Sequence, residues 1–221
     1  MNVIGVALEE LYRIFAILNH DKFSNDLAEP VITIQKTRGN TLGHFTPYKA
    51  WKNKQNVENG NIEADDSDET AYHEINIDPR WFCNRTAVEV VETLLHEMCH
   101  YCNELAGIND CNGSNHNKKF KSLAEKVGLI VEKGKSVGWG YTSLSDELKE
   151  YIEENIKPDE KAFEYFRAGK QTEVGIKNPR TKKSFKYVCP ECGQIAKGKI
   201  DITLKCGACD VDMEIEDSEN S

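Results

Sequence analysis

His96-Glu97-Met98-Cys99-His100 is an H-E-x-x-H pattern. Two histidines four residues apart on a helix stand on one face, about 6 Å from each other, so both imidazoles reach a single Zn²⁺. Glu97, beside the first imidazole, lies where a carboxylate takes a proton from a water activated by such an ion. The competing reading, two histidines decorating a solvated helix face, fits poorly with a capped helix whose apolar stripe lies on another side.

A catalytic zinc takes three protein ligands and keeps one position open. The extended form H-E-x-x-H-x-x-G-x-x-H is excluded, because Asn103 and Ala106 stand where its Gly and third His belong. Glu104 continues the face, but it lies about 12 Å along the axis from His96, too far for one ion. His116 is the leading third ligand, since it follows the turn-rich stretch 108–115 and opens the next expected helix. Asp110, Cys111 and Glu125 remain competitors.

A second set of donors lies near the C-terminus. Cys189-Pro-Glu-Cys192 and Cys206-Gly-Ala-Cys209 are two C-x-x-C knuckles separated by thirteen residues. Gly193 and Gly207 permit tight turns there, and four thiolates close a tetrahedral site with no open position, the pattern of a structural zinc. Cys83, Cys99, Cys102 and Cys111 are read as small apolar residues.

These residues need elements to hold them. Ile4, Ala7, Leu8, Leu11, Ile14, Phe15 and Leu18 recur at helical spacing, which predicts a first helix over 3–18. The β-branched run 31–35 and the segment 42–48, joined by Gly39-Asn40, read as a hairpin or meander, and 71–78 reads as a third strand with Tyr72, Glu74 and Asn76 on one face and His73, Ile75 and Ile77 on the other. Thr86 and Glu89 form a capping box, so the motif helix starts there and runs to Gly107 with the stripe Val88, Val91, Leu95, Met98, Cys102 and Leu105. Ser114 or Asn115 is expected to cap a third helix bearing Phe120, Leu123, Ala124 and Val127. Two more helices are expected over 145–156 and 158–168, with the Gly- and aromatic-rich stretch 137–141 before them.

Composition narrows the classes. The chain has 221 residues, 39% hydrophobic and 29% charged, with a net charge of -9. No stretch approaches the roughly 18 apolar residues of a membrane span. Glu9 and Glu10 interrupt the apolar start where an export signal would not, so a reducing cytoplasmic setting is expected for the eight cysteines. The overall acidity argues against a chain coated with nucleic acid, yet residues 177–205 carry eight Lys/Arg against two Asp/Glu, interleaved with Phe185 and Tyr187. Cations among exposed aromatics suit single-stranded nucleic acid. The acidic residues of 63–69 and of the tail after 209 read as solvated.

The sequence resembles the SprT-like metalloproteases, which include the Spartan proteases that degrade proteins crosslinked to DNA. The resemblance rests on TLLHEMCHY (93–101), on NHNKKF (115–120), on the strand-rich segment before the motif, and on the C-terminal zinc ribbon many members carry. It covers roughly residues 1–145 plus the ribbon, and departs at Asn117, where members often have Gly. It implies that His96, His100 and His116 bind a catalytic zinc and that Glu97 is the acid/base.

The expectation is therefore an α+β chain. A zincin-like catalytic domain spans 1–145, a helical extension and linker 146–183, and a zinc ribbon with an acidic tail 184–221. It is expected to act as a zinc metalloendopeptidase with two Zn²⁺ per chain, on polypeptide substrates that include DNA-associated or DNA-crosslinked proteins, with single-stranded or damaged DNA contacted through 177–205 and no membrane partner. One alternative is a nucleic-acid-associated zinc-binding adaptor without turnover, against which Glu97 weighs. Another is a zinc hydrolase of a non-peptide amide. Tyr141, His73 and Arg80 have the right types to stabilise an oxyanion, but packing, sheet surface and salt bridging are their expected roles.

Overall fold

Thr86 sets where the central helix begins. Its hydroxyl accepts the Glu89 backbone N–H at 3.3 Å, while the Glu89 carboxylate accepts the Thr86 N–H at 2.7 Å, so the capping box forms as expected and opens α2 (Ala87–Leu105). The computed structural model describes residues 2–54, 70–169, 185–199 and 202–215. The chain divides into two compact units, Met1–Gly169 and Lys170–Ser221.

In the first unit α1 (Val3–Phe23) lies against α2, burying Leu11, Ile14, Phe15 and Leu18. Strands β1 (Val31–Ile34), β2 (Gly43–Trp51) and β3 (Tyr72–Ile77) form a sheet in the order β1-β3-β2. The expected hairpin between the first two is thus not formed: β1 pairs parallel with β3 and β2 pairs antiparallel with it. Two buried polar side chains of the β3 region redirect the chain. The Asn76 amide bonds both the backbone N–H and the carbonyl of Gln35, and Asp78 accepts the N–H and hydroxyl of Thr37, each at 2.8 to 2.9 Å. This straps residues 33–37 to β3 rather than to β2. Asn76 is accordingly buried, and so is His73, which lies among the rings of Phe45 and Tyr101 instead of on the sheet surface.

A second sheet follows the motif helix. The loop after α2 contains two short strands, β4 (Cys111–Asn112) and β5 (Asn115–His116), and helix α3 (Lys118–Lys126) starts after them. Asn117, not Ser114 or Asn115, caps α3, its side chain accepting the Lys119 N–H at 2.7 Å. Its φ of -102° is open to any residue, so Asn replaces Gly here without strain. Next come β6 (Leu129–Gly134) and β7 (Gly138–Leu144), giving the order β4-β5-β7-β6. The stretch 137–141 is mostly strand, and β6 has no counterpart in the sequence reading.

Ser145 caps α4 (Asp146–Tyr151), which widens into a π-turn over Ile152–Ile156. The expected helix 158–168 is only a 3-10 turn at Glu160–Phe163, because Asp159 gives its N–H to Glu10 and Arg167 gives its N–H to the Pro79 carbonyl. Ile152, Ile156, Ala162 and Phe163 nonetheless join the one core with α1, α2 and α3. In that core α2 is covered on several sides, so its buried set (Val90, Val91, Leu94, Leu95, Met98, Cys99, Tyr101) is wider than one stripe, while Leu105 is exposed.

The second unit holds β8 (Phe185–Val188), β9 (Ile195–Gly198) and β10 (Glu214–Ile215) in the order β10-β8-β9, all antiparallel. Most of the linker, with Lys177, Arg180, Lys182 and Lys183, and the acidic segments 63–69 and 216–219 lie outside the described residues. No helix among the described residues is long and apolar enough to cross a membrane.

Candidate metal centre

Helix α2 presents His96 and His100 one turn apart, and the β5–β7 pairing delivers His116 to them. The backbone does this by a close approach: His116 N–H bonds the Val137 carbonyl at 3.0 Å, and residue 116 pairs with Gly138. A Cβ on Gly138 would stand 2.2 Å from the His116 carbonyl, at a φ of +61°, and one on Gly140 would stand 2.4 Å from the His116 ring. The two glycines of the 137–141 stretch are thus what lets the third imidazole in.

The Nε2 atoms of His96 and His116 are 3.2 Å apart, and those of His100 and His116 are 3.0 Å apart. Two nitrogens each about 2.05 Å from one tetrahedral ion stand roughly 3.3 Å apart, so the spacing and the donor type both fit Zn²⁺. The other nitrogen of each ring is engaged. His100 Nδ1 bonds Asp110 Oδ2 at 2.8 Å, His116 Nδ1 the Val137 carbonyl at 3.1 Å, and His96 Nδ1 the Thr142 hydroxyl at 3.2 Å. A carboxylate and a carbonyl only accept, so neutral His100 and His116 donate from Nδ1 and turn bare Nε2 lone pairs toward the common centre. The His96 Nε2 faces the same centre, and three imidazole nitrogens so placed suit a cation.

The rings sit on Phe120, fully buried with its centroid 4.6 Å from each of theirs. Burial and the neighbouring imidazoles hold His96 well below its ordinary pKa, and burial with His100 nearby lowers His116. Burial acts the same way on His100 and is the largest single influence, but the hydrogen bond His100 donates to Asp110 and the charges of Glu97 and Asp110 together outweigh it and raise its pKa.

Glu97 is 6% exposed, and burial pushes its carboxyl up to about 7 against the opposing pull of His100 and the Phe45 backbone N–H. It shares a cleft of about 990 Å³ with the three histidines; one wall is Leu42–Phe45 of the β2 region, another Gly107–Cys111 and a third Gly140–Thr142. Gly43 allows that wall to close in, since a Cβ there would lie 2.7 Å from the Asn76 carbonyl and 3.3 Å from Glu97 Oε1. Among the described residues strand β2 pairs with β3 alone, and its outer edge runs along this wall, where the Phe45 N–H is taken by Glu97.

Of the competitors for the third position, Asp110 reaches His100 from behind, Cys111 pairs with His116 across β4 and β5, and Glu125 forms an ion pair with Lys121 at 3.4 Å. Arg80 salt-bridges Asp78 as expected, and the Tyr141 ring lies over Gly134. Thr142 and the Val137 carbonyl were not legible as site groups: each is more than twenty residues from the histidine it touches, and neither type signals metal chemistry.

In the second unit the sulfurs of Cys189, Cys192, Cys206 and Cys209 lie within 4.8 Å of one another, those of Cys192 and Cys206 at 3.6 Å. Thiolates about 2.3 Å from one tetrahedral ion stand roughly 3.8 Å apart, so this set is also consistent with zinc and with a ribbon. The backbone N–H groups of Ala208 and Cys209 hold the Cys206 thiol down at about 7, favouring the thiolate a metal needs. Around it Lys197, Lys199 and Lys205 are exposed, but Tyr187 is buried at 2% with its hydroxyl donating to the Lys199 carbonyl, so it is unavailable for stacking. Phe185 is half-buried.

A model of the SprT-like family matches residues 11–137, more than half of the chain. Neither a curated protein nor a solved structure matches it.

Proposed function

The chain belongs to the SprT-like family, and on that premise we propose that it is a zinc-dependent metalloendopeptidase with a zincin-like catalytic unit. The observation that carries the reading is the convergence of three imidazole Nε2 atoms in a cleft that also holds the buried Glu97 carboxyl. His96, His100 and His116 would hold the ion. When bound there, zinc supplies Lewis acidity to a scissile carbonyl and to the water that attacks it.

Glu97 takes the proton of the attacking water and delivers it to the amide nitrogen as the C–N bond breaks. Its burial beside β2 suits that exchange, because desolvation disfavours the charged carboxylate and so strengthens its hold on the proton it takes. The outer edge of β2 beyond Phe45 would pair with an extended segment of substrate through backbone hydrogen bonds, which gives affinity with little demand on sequence. Unfolded or loosely folded polypeptide is the substrate class that offers such a segment.

Cys189, Cys192, Cys206 and Cys209 would hold a second, structural zinc. Proteins associated with or crosslinked to DNA are the proposed natural substrates, reached through the exposed Lys197, Lys199 and Lys205 and the half-buried Phe185. The reducing cytoplasm is the proposed setting, consistent with eight free cysteines.

The test compares cleavage of an unfolded protein by the native chain and by Glu97→Gln, with and without single-stranded DNA. Cleavage by the native chain alone, enhanced by DNA, is expected. Equal cleavage by both chains removes the peptidase reading; cleavage lost in the variant but indifferent to DNA removes the nucleic-acid partner.

A further inference from the structure

Behind His96 runs a chain of polar side chains that the peptidase chemistry does not use. Thr142 Oγ1 lies 3.2 Å from His96 Nδ1 and 3.2 Å from Glu92 Oε1, and the other Glu92 oxygen lies 3.6 Å from the Arg85 guanidinium. Arg85 also donates to the Thr93 hydroxyl. The side chains of Arg85 and Glu92 are only 13% and 14% exposed, so water has little part in deciding who donates to whom.

We propose that Glu92 is a positioning residue for His96, acting through the Thr142 hydroxyl to fix the imidazole in the tautomer whose Nε2 is bare. The argument is one of hydrogen-bond parity. A threonine hydroxyl has a single proton and two lone pairs. An ionised carboxylate only accepts, so Glu92 draws that proton onto itself. The oxygen then faces His96 with lone pairs alone, and the ring meets it by donating from Nδ1. Its Nε2 is left unprotonated, aimed at His100 and His116.

Without the carboxylate the hydroxyl is free to turn and donate to Nδ1, which places the ring proton on Nε2, where it blocks metal binding. Burial raises the Glu92 pKa, and the Arg85 guanidinium opposes that rise. Arg85 therefore has a defined part, to keep Glu92 an acceptor. Asp110 fixes His100 directly and the Val137 carbonyl fixes His116, so the Glu92–Thr142 pair supplies for His96 what the other two rings receive from one group each.

This inference rests on the reading of the three histidines as a metal centre, and the experiment separates the two. The full chain is prepared as native protein, Glu92→Gln, Thr142→Val and Thr142→Ser. The ¹⁵N chemical shifts of the His96 ring report its tautomer in metal-free protein, and competition with a chelator reports zinc affinity, the four-cysteine site serving as internal reference. Glutamine keeps the shape of Glu92 but can donate to the hydroxyl.

The expected result is a His96 protonated on Nδ1 in the native chain and in Thr142→Ser, with Nε2 protonation gaining in Glu92→Gln and Thr142→Val. Zinc affinity at the histidines falls by roughly tenfold to a hundredfold in the latter two. A native tautomer and native affinity in Glu92→Gln and Thr142→Val overturn the proposal while leaving the metal centre standing. A tautomer that shifts in both variants, in a native chain that takes up no zinc at the histidines, supports the positioning role and overturns the metal reading instead.

Discussion

Asp110 and His100 are joined by a hydrogen bond of 2.8 Å from Nδ1 to Oδ2, and the same oxygen accepts the Asn103 side-chain amide at 3.0 Å. The carboxylate is itself held, so the orientation of the His100 ring is inherited from α2 through Asn103 and from the start of the β4 loop through Asp110. Replacing Asp110 by Ala leaves His100 free to rotate and to change tautomer. Zinc affinity of the histidine site is expected to fall by roughly tenfold to a hundredfold, measured by chelator competition, with the four-cysteine site unaffected.

Gly140 faces the His116 ring so closely that no side chain fits. Gly140→Ala forces either the strand or the imidazole to move by about an ångström, since the added Cβ would lie 2.4 Å from Nδ1. The expected outcome is loss of zinc from the histidine site and a destabilisation of about 1–3 kcal/mol, read from the urea midpoint. Gly113→Ala provides the contrast: its φ of +63° adds strain, but nothing lies within 4 Å of its Cβ, so zinc binding is retained.

Acid stability is expected to depend on Asp78. The side chain is fully buried, and burial alone would raise its pKa; hydrogen bonds from Arg80 and Thr37 outweigh this and hold it well below the usual carboxylate range. A depressed folded pKa means that the stabilisation is present above the unfolded value of about 3.9 and is lost as pH falls through the folded value. The urea midpoint of the native chain should drop steeply below about pH 4, and Asp78→Asn should flatten that part of the profile while lowering stability at neutral pH. Arg80→Ala, which leaves the buried carboxylate without its ion pair, is expected to lower the urea midpoint at pH 7.

The segment after β7 also supports the motif helix. Both carboxylate oxygens of Glu160 accept the Ala87 backbone N–H, at 3.0 and 2.9 Å, at the first turn of α2. Glu160→Ala is expected to reduce stability by about 1 kcal/mol, in the range of a lost helix cap, with zinc affinity unchanged. Truncation after residue 145 removes the buried Ile152, Ile156 and Phe163 as well and should leave the unit unfolded at ambient temperature, seen as loss of the cooperative thermal transition.

What the sequence made legible was local. Thr86 and Glu89 announce the start of α2 because a capping box is complete within four residues, and His96, Glu97 and His100 share a face because helical geometry fixes their spacing. The C-x-x-C knuckles are readable for the same reason. The third imidazole was identified from its type and the loop before it, but its setting was not: β4 and β5 are two residues each, too short for any alternation to register. The glycines of 137–141 signalled only an irregular stretch, because their purpose lies in the His116 backbone they approach. Thr142, 46 residues from His96, and Glu92, 50 residues from Thr142, form a network that exists only once β7 is laid along α2. The β1–β3–β2 order was hidden similarly, since Asn76 and Asp78 read as polar strand positions rather than as the straps for residues 35–37.

Zinc content per chain, measured by elemental analysis on the native protein and on His116→Ala, tests the central claim most directly. The account predicts two ions in the native chain and one in the variant, with the remaining ion lost when the ribbon cysteines are alkylated. An unchanged zinc content in His116→Ala, or a native chain whose zinc is held by the four cysteines alone, contradicts it.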